Sequence, residues 1–172
     1  TGSITQAAGG GAATINAITG DAALSQANSF SGDVTIAGLT ASITANQTVT
    51  GAGKYFNFGP TTSGSVGANI TTNNGQINFV TDTTLTGNVT LNAGSADISF
   101  NNWVDGAHAL AATTTGGITF YDVVGGTTPL TSINATAGTN VTILDDVTTT
   151  GAQSYAGATI GFGGGVPVIT GN

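Results

Sequence analysis

The sequence predicts an all-β protein that folds as a parallel β-helix, also called a β-solenoid. Three observations support this prediction: a repeat of roughly twenty residues, strict alternation of apolar and polar residues within each repeat, and a near absence of charge. A unit of this length cannot bury its own apolar side, so it needs a neighbour stacked on each side. A chain of 172 residues with a period of roughly 20–23 residues predicts about eight coils.

The repeat is clearest in the second half of the chain. Segments 110–129, 130–151 and 152–169 each begin with a small or apolar run, pass a turn rich in Gly or Thr, and reach an alternating apolar pair. The three pairs are Ile118/Phe120, Val141/Ile143 and Ile160/Phe162. Alternation with a period of two indicates strands, because successive side chains of a strand point to opposite sides of the sheet.

A shorter unit, Gly-x-apolar-polar-apolar, returns along the chain at residues 32–36, 75–79 and 87–91, with variants at 96–100 and 139–143. Its glycine is predicted to form a turn, and its two apolar residues are predicted to enter the core. The copies near residues 77, 89 and 98 are closer than one coil, so we expect them on different faces of neighbouring coils that hold two or three strands each. The predicted core comprises Val34, Ile36, Ile77, Phe79, Val89, Leu91, Ile98, Phe100, Ile118, Phe120, Val141, Ile143, Ile160 and Phe162.

The chain is predicted to be one domain over residues 1–172, with a less regular terminal coil at 1–31 and repeat coils at 32–172. Ile4, Ile15, Ile18 and Leu24 give sparse strand signals, and residues 22–30 could instead form one helical turn. Two long-range echoes suggest coils of common ancestry: residues 43–55 resemble 143–155, and 39–45 resemble 130–137. A β-sandwich is the alternative fold, because short alternating strands with Gly turns suit it as well.

The charge composition limits the partners. All eight acidic residues are Asp, and Lys54 is the one basic residue apart from His108. This acidity argues against nucleic acid or an anionic membrane surface, both of which require a basic patch. Equivalent positions on stacked coils lie about 4.8 Å apart, where like charges repel by about 0.9 kcal/mol even in water. Neutral Thr and Asn avoid that repulsion, and Asn ladders add hydrogen bonds along the stack.

No segment indicates membrane insertion, since no apolar run is long enough to span a bilayer. The chain has no Cys, so no disulfide indicates its redox compartment. It begins at Thr1 without a signal peptide, and we interpret it as a mature or excised segment.

The sequence offers few residues for chemistry, and we predict no catalytic, cofactor-binding or metal-binding site. His108 is the only His and is expected in a turn or on the surface. Asp145 and Asp146 form the only adjacent acidic pair and are expected in a turn, where one adventitious calcium ion is the remaining alternative. The glycine runs 9–11 and 163–165 lack the Asp of a calcium-binding roll. Without Arg or Glu, a polysaccharide lyase or hydrolase is a poor match.

Two binding alternatives remain open. The aromatic residues Trp103, Tyr55, Tyr121 and Tyr155 would form a sugar-stacking platform if one face gathered them, although single aromatic residues at coil corners more often serve packing. The pairs Thr48/Thr50, Thr113/Thr115 and Thr148/Thr150 have the local form of an ice-binding ladder. An ice-binding face needs that form at one register in every coil, whereas here Thr lies beside Gly in varied contexts.

Residues 106–164, with the runs GAHALAATTTGGITF, VGGTTPLTSI and VTTTGAQSY, resemble the repeats of large bacterial exoproteins, the filamentous-haemagglutinin-like and autotransporter adhesins. The resemblance implies a right-handed β-helix that is extracellular, at the cell surface, and forms the shaft of an adhesin or fibre. It also implies a host-cell or glycan receptor bound through other parts of a longer protein. These repeats carry no catalytic motif in the family, so no functional residue is transferred.

The predicted ends of the stack lack caps. The C-terminal run from Gly163 to Ile169 is apolar and contains no amphipathic helix, while the N-terminus is uncharged until Asp21. Terminal coils expose unpaired backbone groups and an open apolar cross-section. We therefore expect the chain to stack end to end with copies of itself or with adjacent repeats.

Overall fold

A computed structural model describes residues 13–163 and 167–171 of the chain. Within these residues every named element is a strand, and all but β1 and β3 have six residues or fewer. In chain order the strands are β1 Ala13–Leu24, β2 Asn28–Phe30, β3 Val34–Ile43, β4 Gln47–Ala52, β5 Phe56–Phe58, β6 Ser63–Val66, β7 Ile70–Asn73, β8 Ile77–Phe79, β9 Thr83–Leu85, β10 Val89–Asn92, β11 Ile98–Phe100, β12 Val104–Asp105, β13 Ala109–Thr114, β14 Ile118–Phe120, β15 Ser132–Ala137, β16 Asn140–Ile143, β17 Val147–Thr148, β18 Gln153–Ala156, β19 Thr159–Phe162 and β20 Ile169–Thr170.

The strands stack in parallel along three faces of one solenoid. The first face runs from the first halves of β1 and β3 through β5, β8, β11, β14 and β16 to β19. The second face runs from the second halves of β1 and β3 through β6, β9 and β12, the single bridging residue Val124, and β17 to β20. The third face has the order β2-β4-β7-β10-β13-β15-β18.

This architecture confirms the predicted all-β parallel β-solenoid. The described residues form about seven turns, since the third face contains seven strands, where the chain length predicted about eight. Successive coils are 19 to 23 residues apart, as in the pairs Val141–Ile160 and Ile118–Val141. The β-sandwich alternative is wrong, because every strand pairing in the described residues is parallel.

The first described coil is built from strands. β1 pairs along β3 with a register shift between Ala17 and Asp21, and β2 pairs with β4. A helical turn at 22–30 is therefore wrong. Ile4 lies outside the described residues, and the domain limits 1–172 with a boundary near residue 31 stay a prediction.

The core is a set of apolar columns that run along the stack. Twelve of the fourteen predicted core residues are buried. On the first face, Phe79 stacks between Phe100 and the edge-on ring of Phe58, with ring centroids 4.8 and 5.9 Å apart. Phe100 and Phe120 stack at 5.0 Å. Each such aromatic pair contributes roughly 0.5–1.5 kcal/mol beyond the burial of its area.

The other two predicted core residues, Ile160 and Phe162, are exposed by 37% and 56%. They point to the core side of β19, which is the last strand of the first face. β16 covers one edge of this strand, and no described strand pairs with the other edge. The prediction of burial is wrong for these two residues because it assumed a further coil.

The short apolar units occupy the faces predicted for them. Residues 77–79 and 98–100 lie on the first face, and residues 89–92 between them lie on the third. The two long-range echoes, however, are not structurally equivalent. Ile43 pairs with Val66 on the second face, whereas Ile143 pairs with Phe120 on the first. The inference of common ancestry from these echoes therefore has no support in the register.

Glycine in the short units is required by close approach between coils. A Cβ built on Gly75 would lie 1.8 Å from the carbonyl oxygen of Lys54, and one on Gly87 would lie 2.6 Å from that of Gly67. Neither glycine has a positive φ. The turn predicted at these positions therefore needs glycine because the backbone of the previous coil occupies the space of a side chain.

Asparagine side chains connect neighbouring coils. Asn69 Oδ1 accepts the N–H of Thr90 at 2.8 Å, and Asn88 Oδ1 accepts that of Ala109 at 3.0 Å. On the first face, Asn78 Nδ2 donates to Asn57 Oδ1 at 3.0 Å. These contacts confirm the predicted hydrogen bonding of Asn along the stack, which needs no charged residue.

Candidate functional site

His108 lies in the bend between β12 and β13 and is half-buried. Its backbone N–H donates to the Gly106 carbonyl at 2.7 Å, and its carbonyl accepts the N–H of Thr131 at 3.0 Å. The prediction of a turn is confirmed. These backbone bonds connect the bend to the next coil, and they account for the position of His108 without a chemical role.

Asp145 and Asp146 lie in the bend between β16 and β17, as predicted. Asp145 Oδ1 accepts the N–H of Asp146 at 2.8 Å, and Asp146 Oδ1 accepts the N–H of Val168 in the following coil at 2.7 Å. Each carboxylate thus stabilises a turn or a coil-to-coil contact. The run 9–11, and Gly164 and Gly165 of the second glycine run, lie outside the described residues.

The part of the chain that the structure describes, residues 13–163 and 167–171, contains no group of three His, Cys, Asp or Glu side chains that could hold a metal ion. It also contains no helix long and apolar enough to cross a bilayer.

An open cleft of about 250 Å³ lies around the second-face bridge between Val104 and Val124, with lining residues on both sides of that bridge. The indole of Trp103, 42% exposed, is part of its wall. Val104 pairs with Val124, so Trp103 of one coil lies in register with Val123 of the next. The residues that line the cleft are Trp103, Asp105, Asp122, Val123, Gly126 and Thr127.

A buried carboxylate organises the loop that lines this cleft. Asp105 is 5% exposed, and its Oδ1 accepts the backbone N–H groups of Thr127 and Thr128, both at 3.1 Å. The carbonyl of Thr128 in turn accepts the N–H of Gly106 at 3.0 Å. Charge-assisted bonds from a carboxylate to backbone N–H groups are stronger than neutral ones. The loop that carries Thr127 is therefore anchored to the coil that precedes it.

The four aromatic residues do not gather on one face, so the alternative of a shared sugar-stacking platform is wrong. Tyr121 follows β14 at the corner that also carries Trp103, but it does not line the cleft. Tyr55 lies before β5 at the corner between the third and first faces. Tyr155 lies in β18 on the third face, where it packs against the core. Of the four, Trp103 alone lines the cleft, and sequence reasoning had no signal for the loop beside it.

The third face carries an exposed polar column. Thr48 pairs with Thr71, Thr71 with Asn92, and Thr113 with both Asn92 and Thr136, and all five side chains are exposed. The neighbouring outward column is mixed, with Thr90, Ala111, Asn134 and Ser154 in register.

The predicted Thr pairs do not share this arrangement. Thr48/Thr50 and Thr113/Thr115 lie along the third face, whereas Thr148 is half-buried on the second. One regular column of four Thr and one Asn therefore exists, but the complete Thr-x-Thr row does not repeat in every coil.

The C-terminal end of the described stack is apolar. Val168 and Ile169 are exposed by 57% and 39%, next to the exposed Ile160 and Phe162. Tyr155 is the partial exception, since its hydroxyl donates to Gln153 Oε1 at 2.7 Å. Burial raises the pKa of the Tyr155 hydroxyl above its usual range. The expectation for the N-terminal end lies largely outside the described residues.

Comparisons of the chain with protein-family models, curated proteins and solved structures find no match. The likeness to adhesin repeats is therefore carried by the sequence motifs alone.

Proposed function

We propose that this chain is a non-catalytic structural segment of an extracellular bacterial surface adhesin or fibre. In this role it forms a rigid shaft and stacks end to end with copies of itself or with adjacent repeats. A receptor, on a host cell or a glycan, is bound by other parts of a longer protein. The repeat motifs of residues 106–164 support the adhesin and cell-surface parts of the proposal. The uninterrupted parallel stack supports the shaft.

The observation that carries the proposal is the open C-terminal cross-section. Val141 and Ile143 are fully buried, and their partners in the next coil, Ile160 and Phe162, are exposed. The apolar columns of the core thus continue unchanged into the solvent-facing end. Among the described residues, β18, β19 and β20 each end their stack, so the edge of each strand that has no described neighbour is open to pairing. A further coil of the same architecture matches both the columns and the edge.

A coil supplied by a second copy makes a head-to-tail contact. Contacts of this kind do not close on themselves when the rotation leaves both outer ends free, and they produce filaments. Charged residues make up 5% of the chain, so few like-charged side chains lie on neighbouring coils of such a stack.

Sedimentation velocity and electron microscopy of the purified chain test this proposal. We expect linear oligomers whose length grows with concentration. Phe162→Lys places a charge in the open cross-section and is expected to weaken association by at least about tenfold, which corresponds to about 1.4 kcal/mol. Tyr121→Lys is the matched control, because Tyr121 is 52% exposed on a lateral corner. A wild-type chain that remains monomeric at high concentration contradicts end-to-end stacking.

The non-catalytic part of the proposal has its own test. Purified chain is expected to leave glycans and peptides intact on prolonged incubation. Turnover that disappears in His108→Ala or Asp146→Ala contradicts it, because those side chains are the ones from which an acid–base pair would be assembled.

The Thr column on the third face favours a second candidate, an ice-binding module. Thr48, Thr71, Thr113 and Thr136 are exposed in one register on parallel strands, with Asn92 between Thr71 and Thr113. Inhibition of ice recrystallisation is the assay. Activity that is lost in Thr113→Lys, but kept in Thr84→Lys on the second face, supports this candidate over the structural one.

A further inference from the structure

At the cleft beside Trp103 one coil is locally longer than the coil before it. From Val104 to Leu110 the chain advances six residues, whereas from their register partners Val124 to Ile133 it advances nine. The additional residues form a loop over 125–131 that stands beside Trp103. Gly125 begins it with φ of 73°, a conformation that L side chains rarely adopt.

This loop is held in a defined position. The buried Asp105 carboxylate accepts two of its backbone N–H groups, and Gly106 donates to one of its carbonyls. A carboxylate with 5% exposure that is bonded in this way holds in place the loop whose Gly126 and Thr127 line the cleft together with Trp103. Pockets of this kind, with one apolar wall and a few convergent polar groups, are the usual form of small-ligand sites.

We propose that this cleft binds one neutral pyranose ring. The exposed indole offers a flat apolar surface to the C–H face of a sugar ring. Elsewhere in the lining, the Asp122 carboxylate accepts hydrogen bonds from sugar hydroxyls, and the Thr127 hydroxyl both donates and accepts, while Asp105 holds the loop in place. The volume of about 250 Å³ suits a single ring with its hydration.

The charges of the cleft select against acidic sugars. It contains two carboxylates, and the one ion pair among the described residues, Lys54 with Asp33, lies at another corner. An acidic sugar would bring a third negative charge, which both carboxylates repel, most strongly where water is excluded. A site for a quaternary ammonium group typically surrounds the cation with several aromatic faces, and here one aromatic residue lines the wall.

This site goes beyond the shaft function and does not depend on end-to-end stacking. It lies on a lateral corner between β12 and the bridge at Val124, away from β19 and β20. A chain that is monomeric at every concentration can still bind a sugar here, and a filament can form without one. The two proposals therefore fail separately.

Trp103 is the only tryptophan of the chain, so its fluorescence reports on this site directly. We would titrate the full chain with the methyl glycosides of glucose, galactose, mannose and N-acetylglucosamine. Methyl glucuronide serves as the acidic probe and arginine amide as the cationic probe. We expect a saturable change with at least one neutral glycoside, and binding of the glucuronide at least about tenfold weaker.

Variants complete the test. Asp122→Asn keeps the fluorophore and is expected to weaken binding of the same glycoside by about threefold to tenfold, because an amide is a weaker acceptor than a carboxylate. Trp103→Ala, followed by calorimetry, is expected to remove measurable binding, and Tyr55→Ala to preserve it. Far-ultraviolet circular dichroism confirms that each variant is folded. No saturable response to any neutral glycoside overturns the proposal, as does saturable binding of arginine amide alone.

Discussion

Phe100 and Phe162 occupy the same inward column of the first face, yet their surroundings are opposite. Phe100 is 1% exposed and lies between the rings of Phe79 and Phe120. Phe162 pairs with Ile143 on one side only and is 56% exposed. Both belong to the same apolar–polar–apolar pattern. In a solenoid, then, the burial of a side chain is determined by the presence of the next coil as much as by its own position.

The comparison extends to whole coils. In the middle of the stack each coil has two neighbours, so every inward residue gains burial from both sides. The last described coil has one neighbour, and its inward residues remain partly in water. The stability of such a protein is close to a sum of coil and interface terms. A substitution in the middle should therefore cost more than the same substitution at the end.

The largest effect is expected for Phe100→Ala. It removes a fully buried ring from the stack and is expected to lower the free energy of unfolding by about 3–5 kcal/mol. Phe162→Ala, measured under dilute conditions where the chain is monomeric, is expected to cost less than about 1 kcal/mol. Urea denaturation of the two variants gives both values.

If Phe100→Ala and Phe162→Ala lower the free energy of unfolding equally under dilute conditions, the C-terminal cross-section is covered. The two variants can also be compared at several protein concentrations. If the difference between their losses in free energy of unfolding narrows as the concentration rises, a second copy buries Phe162. That outcome would link the stability of the end to the proposed stacking.

Much of this architecture is predictable from sequence. The period-two alternation identified the strands, and the repeat length identified the stacked coils, because both are set by local backbone geometry. Burial of Ile160 and Phe162 was predicted wrongly, since a residue's pattern carries no information about where a stack ends. The similarity between residues 43–55 and 143–155 does not reflect equivalent positions in two coils, because similar Thr-rich and Gly-rich segments occur on different faces.

The cleft beside Trp103 was beyond sequence reasoning for a related reason. The loop over 125–131 depends on a register in which Val104 pairs with Val124, and its anchor is an Asp one coil earlier. A contact between residues about one coil apart becomes visible only when the exact coil length is known, and here coil length varies from 19 to 23 residues.

A second comparison between middle and end concerns buried carboxylates. Asp105→Ala removes the acceptor of two backbone N–H groups from a buried site and is expected to cost about 2–3 kcal/mol. Asp146 accepts one N–H, from Val168, near the end of the stack and is half-buried. Asp146→Ala is therefore expected to cost about 1 kcal/mol. Thermal and urea unfolding measure both, and a larger loss for Asp146→Ala would contradict the assignment of Asp105 as the loop anchor.

Glycine gives a third comparison. A Cβ on Gly75 would lie 1.8 Å from a backbone oxygen of the previous coil, whereas the nearest atom to a Cβ on Gly161 in β19 is Thr142 Oγ1 at 3.8 Å. Gly75→Ala is expected to destabilise the protein by about 1–3 kcal/mol through overpacking. Gly161→Ala should be neutral or slightly stabilising, because it lowers the entropy of the unfolded chain. Urea unfolding measures both variants. If they lower the free energy of unfolding by similar amounts, the backbone of the previous coil does not lie as close to Gly75 as the structure shows.

The smallest effect is expected for Tyr155, which packs against the core from the last strand of the third face. Burial raises the pKa of its hydroxyl, so the folded protein favours the neutral form. Below the unfolded pKa of about 10 this contribution to stability is fully present. As the pH rises above that value, the unfolded chain loses the proton first and the contribution declines.

Tyr155→Phe should thus resemble wild type at neutral pH, apart from the hydrogen bond to Gln153, and lose less stability in alkali. Tyr121→Phe, on the exposed corner, is the control, and its stability should decline with rising pH as that of wild type does. Urea midpoints across the alkaline range decide the matter, and parallel decline in all three proteins would mean that the end of the stack leaves Tyr155 in water.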